Sequence, residues 1–232
     1  MSTYGRRRET LLALYGAMTE HCGPSNWWPA DSPFEVALGA ILTQNTAWRN
    51  VEKALASLRE ATGLVPAEVA ALAPEMLAEY VRPSGFFSQK SATIRAFLSL
   101  MQRHGGLSGD DAADGKLACF ATVDDAAMRE ALLALRGIGP ETADSILLYA
   151  LFRPFFVVDA YTRRIFHRHG LVDDAMEYHD LQDFFMDGLE PDVGLFNEYH
   201  ALIVTIGKHF CGKSKPKCAA CPLRGFLPYE PT

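Results

Sequence analysis

Leu135-Arg136-Gly137-Ile138-Gly139-Pro140-Glu141-Thr142-Ala143, followed by Val157-Val158-Asp159, is the stretch that decides how this chain folds. Two glycines flank one apolar residue between two helical runs. Glycine admits positive φ and leaves the main chain open to close approach. Pro140 suits the first position of the next helix. Amides exposed at such a helix start hold an anion without help from Lys or Arg. The segment predicts a tight hairpin between helices, with Gly137, Ile138 and Gly139 set against a nucleic-acid backbone. An ordinary turn between two helices would use the same Gly-x-Gly. Asp159 has two compatible readings, as the N-cap of a helix that begins at Ala160 and as a lone carboxylate aimed at a bound residue.

Working outward, the pattern stays helical. Leu11, Leu12, Leu14, Tyr15 and Met18 share one helix face, which Gly23-Pro24 ends. Asp31-Ser32-Pro33 supplies a cap and a first-turn proline for Phe34 to Leu42. Ala47 to Ala61 is amphipathic and stops at Gly63, while Pro66 and Pro74 each open a short helix. Gln89 to Arg103 precedes Gly105-Gly106. Leu107 to Gly115 is rich in Asp and Gly and predicts a loop. Thr122 is expected to cap Asp124 to Arg136. Further helices are expected over Glu141 to Leu151, Ala160 to His169, His179 to Leu189 and Phe196 to Phe210. No segment sustains period-two alternation, so the fold class is all-α.

The 232 residues allow one large domain or two small ones. The chain is 49% hydrophobic and 22% charged, ordinary for a globular protein. No apolar run reaches the length of a membrane span, and the polar, basic Met1 to Arg8 opens no signal-peptide pattern. A cytosolic (cytoplasmic) monomer with no membrane partner is expected. A net charge of −6 argues against nucleic acid when taken alone, but its distribution reverses that. Asp173 to Asp192 holds eight acids and no Lys or Arg. Ala160 to Val172 carries Arg163, Arg164, Arg168, His167 and His169 with no acid, and His200 to Tyr229 has five Lys or Arg and no acid. A phosphate meets the local field and not the net charge, although each run alone could be a solvated helix face.

The hairpin, one helix, then two apolar residues and Asp resembles the helix-hairpin-helix (HhH-GPD) base-excision DNA glycosylases, in their endonuclease III-related branch. Ile41-Leu42-Thr43-Gln44-Asn45-Thr46 is similar to that family's Leu-x-x-Gln-x-Thr segment, whose Gln fills the gap left by a flipped base. Gly85-Phe86-Phe87-Ser88-Gln89-Lys90-Ser91 is similar to its wedge loop, and Gly207-Lys208-His209-Phe210-Cys211 to the start of its C-terminal cluster loop. The matches run from about Phe34 to Cys221. The resemblance implies two helical domains flanking a DNA-binding cleft. One is a six-helix barrel with the hairpin over 25–153, and the other combines 1–24 with 154–232 and the cysteine loop. It also implies double-stranded DNA with a damaged base as partner. Gln44 and Phe86 would then fill the hole in the stack, which costs a few kcal/mol to open. Asp159 would stabilise the sugar cation and help activate water.

Members that also cut the strand carry a Lys just after the hairpin, which forms a Schiff base with the sugar. Here that position is Glu141, and a carboxylate cannot form one. The expectation is base release without AP-lyase cleavage. The adenine-mismatch branch usually has Ser there, so Glu141 does not support that reading. Trp27-Trp28-Pro29, Thr43-Gln44-Asn45-Thr46, Arg82-Pro83-Ser84-Gly85-Phe86 and Glu141 together resemble the group that excises alkylated purines such as 3-methyladenine. A cationic base stacks well on indole, which makes Trp27 and Trp28 candidates for the base pocket. They could instead pack the seam between domains. A bifunctional enzyme acting on oxidised or mismatched pyrimidines, and a non-catalytic damage-binding protein of the same fold, are the alternatives.

Five cysteines is an odd number, and Cys211, Cys218 and Cys221 crowd one loop, which points to metal more than to disulfides. Cys22 and Cys119 read as small buried hydrophobes. Under the resemblance, the three clustered thiols match three of the four ligands of a [4Fe–4S] cluster. The fourth position is Leu227, which cannot ligate iron. Either another ligand serves, with His209 a conceivable stand-in, or the cluster is labile, or the site is vestigial. A zinc site of three Cys and a His is the runner-up. Lys213, Lys215 and Lys217 lie in this loop and could meet phosphates with or without metal.

Overall fold

The computed structural model describes residues 3–25 and 27–228. Met1 and Ser2 of the basic start, and Tyr229 at the end of the C-terminal basic run, lie outside them. Every regular element among the described residues is helical. Packing divides the chain into two units, Trp28–Arg153 and Met1–Trp27 with Pro154–Thr232. The helices are α1 (Thr3–Cys22), α2 (Pro33–Thr43), α3 (Trp48–Thr62), α4 (Pro66–Ala71), α5 (Pro74–Tyr80) and α6 (Phe87–Arg103), then α7 (Gly109–Asp114), α8 (Asp125–Leu133), α9 (Pro140–Ser145), α10 (Ala160–Arg168), α11 (Tyr178–Met186) and α12 (Val193–His209).

The contiguous unit is built around α2. Its nine consecutive buried residues, Phe34 to Leu42, mark a helix covered on every side. Ser32 accepts from the Glu35 amide and Pro33 fills the first turn, as those residues predict. Gly63, at φ +62°, ends α3, and Pro66 and Pro74 open α4 and α5. Two local expectations need correction. The cap of α8 is Asp124, whose carboxylate accepts from Ala127, and not Thr122. The Asp/Gly-rich stretch also contains a short helix, α7, where a loop was expected. Helix α9 widens into a π turn over Ile146–Ala150, all five residues buried. Such turns occur frequently near functional sites.

The other unit joins the N-terminal helix to the C-terminal ones. Phe156 and Phe185 stack at 4.1 Å, and Phe196 and Tyr199 meet Phe156 edge-on. The Tyr199 hydroxyl, fully buried, donates to the Leu11 carbonyl and so fastens α12 to α1. Burying each such aromatic contributes about 2–3 kcal/mol. No described helix is long and apolar enough to cross a membrane.

Candidate functional site

In the contiguous unit, three loops that carry candidate residues are tied together. The hairpin forms as the sequence predicts. Gly137 lies at φ +92°, and a Cβ there would come within 2.3 Å of Thr93 Oγ1, so only glycine fits. Ile138 is buried while Gly137 and Gly139 stay exposed, which turns main chain outward. Thr93 donates to Arg136 O or Gln89 O, each at 3.1 Å. Behind the hairpin, Arg129 of α8 grips the fully buried Asp144 of α9 through two bonds of 2.7 and 3.0 Å. That fork fixes the two helices on either side of the turn.

Gln44 caps the end of α2 and reaches this hairpin. Its Nε2 donates to Gly137 O and to Thr142 Oγ1, both at 2.8 Å. Beside it, Asn45 takes φ +51°. Phe86 is 65% exposed and sits at φ +46°, a region costly for an aromatic residue. An exposed aromatic held in a left-handed conformation gains nothing for the fold by its position. Lys90 lies between these two loops and is 3% exposed. Its ammonium donates to Leu42 O (2.8 Å), Thr46 Oγ1 (2.6 Å) and Ser84 O (2.8 Å). Burial pulls its pKa down to about 8. Glu141 is exposed in the first turn of α9, where a carboxylate is favoured by the helix dipole. Trp28 packs in the same unit against Trp48 and Tyr149, at 5.3 Å from each, with Gly39 beneath its ring.

In the other unit, Asp159 caps α10. Its Oδ1 accepts from the Thr162 amide at 2.7 Å and the Thr162 hydroxyl at 2.9 Å. Its Oδ2 faces His200 Nε2 at 3.6 Å, within ion-pair reach but long for a direct hydrogen bond. Both side chains are about nine-tenths buried. Burial opposes ionisation of Asp159, but His200 and the two Thr162 donors outweigh it and hold the carboxyl below its ordinary range. His200 was not singled out from sequence. The available signal was a histidine inside the apolar run Tyr199 to Ile206 of a core helix. Trp27 lies in this unit. Lys208 sits over its ring at 6.0 Å, and Ser25, two residues before, bonds Glu198 twice at 2.8 and 2.6 Å.

The basic run on α10 is used on main chain. Arg163 bonds Asp174 O and Met176 O. Arg164 bonds Cys211 O at 2.7 Å, and Arg168 bonds Gly212 O and Lys213 O, each at 2.7 Å. Lys213, Lys215 and Lys217 are exposed on the same loop. Cys211, Cys218 and Cys221 line one small, partly open hollow, and Leu227 lines it too. Among the described residues, no three His, Cys, Asp or Glu side chains are set to hold a metal ion. His209, the conceivable stand-in, is exposed and is not among the residues lining the hollow. His169 does line it, but both its ring nitrogens face carbonyl oxygens. The lining of the hollow itself supplies three thiols, one fewer than a four-cysteine cluster uses. Burial pushes the Cys221 thiol up, and Cys211, Cys218 and Cys22 add to that rise against a bond from Leu223. Cys22 thus stands near the loop and is half-buried, as is Cys119, where small buried hydrophobes were expected.

Residues 38–191 match the family described as HhH-GPD superfamily base excision DNA repair protein. A relative named "Putative DNA repair glycosylase MJ1434", from Methanocaldococcus jannaschii, is 38% identical over 218 residues, which span 94% of this chain and 96% of that protein. The structure of Helicobacter pylori 3-methyladenine DNA glycosylase (MagIII) bound to 1,N6-ethenoadenine superposes with a TM-score of 0.69 at 31% identity, covering 87% of this chain and 97% of that one. A trapped endonuclease III–DNA covalent intermediate superposes with a TM-score of 0.77 at 19% identity, covering 98% and 97%.

Proposed function

Because the chain belongs to the HhH-GPD superfamily of base excision DNA repair proteins, we propose that it is a monofunctional DNA glycosylase that releases an alkylated purine such as 3-methyladenine. The observation that carries this reading is Asp159, a buried carboxylate held ionised by Thr162 and His200. A protein that only bound DNA would have no use for it, since an N-cap needs no charge. The alkylpurine assignment draws on the 31% identity to the 3-methyladenine glycosylase structure and on the Trp27-Trp28 pair.

In this reading the hairpin main chain around Gly137 and Gly139 holds a phosphate, and Lys213, Lys215 and Lys217 add charge along the backbone. Phe86 wedges into the duplex and Gln44 fills the vacated place. As the bond from C1′ to the base breaks, its electron pair goes to the departing ring. A base that is already cationic leaves neutral, so no strong general acid is needed. The sugar becomes positive, and Asp159 stabilises it at short range in a poorly solvated setting. Water adds to C1′ and loses its proton to Asp159, beside which His200 stands. Glu141 offers no amine, so the product strand keeps an intact abasic site. No step is routed through the cysteine loop.

The test is base release from duplexes bearing alkylated, oxidised, deaminated or mismatched bases. Free 3-methyladenine from alkylated DNA, with strand breaks appearing only after alkali, is the expected result. Release of oxidised pyrimidines with concurrent strand cleavage would instead identify a bifunctional enzyme, and tight binding with no release a damage sensor.

A further inference from the structure

The buried ammonium of Lys90 lies at the junction of the two loops whose tips carry Gln44 and Phe86. Its acceptors stand at matched distances in sequence from those tips. Leu42 is two residues before Gln44, Thr46 two after it, and Ser84 two before Phe86. The Thr46 hydroxyl adds a second link, lying 2.5 Å from Ser84 O and 3.1 Å from Gln44 O. Each tip also contains a non-glycine residue at positive φ, Asn45 at +51° and Phe86 at +46°. Such conformations persist only where the surroundings over-determine them. The three acceptors of Lys90 are two main-chain carbonyls and a hydroxyl, so the buried cation gains no carboxylate partner. A methionine would fill the space without the cost of desolvating a charge. The charge is spent on joining the loops.

The geometry points to Lys90 as a positioning residue that couples the two loops, so that insertion of Phe86 and of Gln44 into DNA occurs as one event. This rests on the glycosylase reading above. Its pKa, lowered to about 8, fits an ammonium placed for its directed bonds and not for charge neutralisation.

The experiment uses full-length protein and a duplex with a tetrahydrofuran abasic analogue opposite 2-aminopurine, whose fluorescence reports filling of the gap. In the wild type, Gln44→Ala and Phe86→Ala should each lower affinity, and the double variant should lose little more than the worse single one. In a Lys90→Met background the same two losses should become independent, reducing the coupling about tenfold. Thr46→Val removes one node while keeping the ammonium. It should reduce the coupling partly and carries the test if Lys90→Met fails to fold. Undiminished coupling in folded Lys90→Met, or in Thr46→Val should Lys90→Met fail to fold, overturns the inference while leaving the glycosylase reading intact. Failure of the wild type to bind the abasic duplex overturns both.

Discussion

Lys90 and Asp159 are both buried ionisable groups at the edge of a loop, one in each unit, and both have lowered pKa values. The same direction has opposite meaning. For the lysine it shows burial winning over three neutral acceptors, so the group is drawn toward neutrality. For the aspartate it shows His200 and the Thr162 donors winning over burial, so the group is held charged. One charge serves the framework and tolerates its site. The other is held ionised because its neighbours more than offset its burial. Under the proposed function, the contrast would separate a residue that positions from one that acts on substrate.

The hardest test of that contrast is Asp159→Asn. Asparagine still caps α10 but has no charge to offer the sugar. Base release should fall by roughly 1,000-fold, about 4 kcal/mol, while affinity for an abasic duplex changes little. Single-turnover release and gel-shift titration measure the two. Near-normal release from the folded variant would reduce Asp159 to a cap and erase the distinction from Lys90. The stability that the carboxylate gives the wild type over this variant should vanish in acid. Because the folded pKa lies below the ordinary carboxylate value of 3.8, the stability contributed by the carboxylate is present above that pH and lost as pH falls through the folded value.

Lys90 should show a dependence of the same sign, moved to an alkaline window. Below pH 8 the ammonium is protonated in both folded and unfolded chains. Between about 8 and the ordinary value of 10.5 the unfolded chain binds the proton that the folded one has released, so stability rises with pH. Relative to Lys90→Met, the wild type should gain on the order of 3 kcal/mol across that window. Chemical denaturation of both proteins at about pH 7.5, 9 and 10.5 measures the difference. A flat difference would mean that burial does not draw the Lys90 ammonium toward neutrality.

Two smaller effects sharpen the comparison. Glu141→Lys should introduce modest borohydride-trapped covalent complex with abasic DNA where the wild type gives none. Trapping by the wild type at lyase levels would mean that another amine attacks the sugar. Leu227→Cys should raise iron and sulfide content and visible absorption in anaerobically purified protein, because it completes four thiolates around the hollow. A full, stable cluster in the wild type would mean that another residue supplies the fourth ligand.

What could be read from sequence follows from how far each interaction reaches. The all-α class, the hairpin, the cap at Ser32 and the prolines opening α2, α4, α5 and α9 are decided within a few residues and are as expected. Thr122 and Asp124 compete as caps two residues apart, and the nearer carboxylate takes the amide. The short helix α7 has too little apolar pattern to announce itself. Thr162 and Ser84 are near neighbours of Asp159 and Lys90, but Leu42 and Thr46 lie 48 and 44 residues from Lys90, and His200 comes to Asp159 from another helix, so no local pattern encodes those partners. Arginine usage misled for the same reason. The run on α10 reads as a phosphate patch, yet its guanidinium groups are spent on carbonyls.

Those arginine bonds have a consequence for how this lineage can change. Small metal-bound loops usually owe their shape to the ion and collapse without it. Here Arg164 and Arg168 hold the carbonyls of Cys211, Gly212 and Lys213 directly, so the loop's shape is insured against loss of a ligand. A substitution that removes one cysteine is then shielded from selection on folding. Lys213, Lys215 and Lys217 would then stay presented whatever the thiols hold.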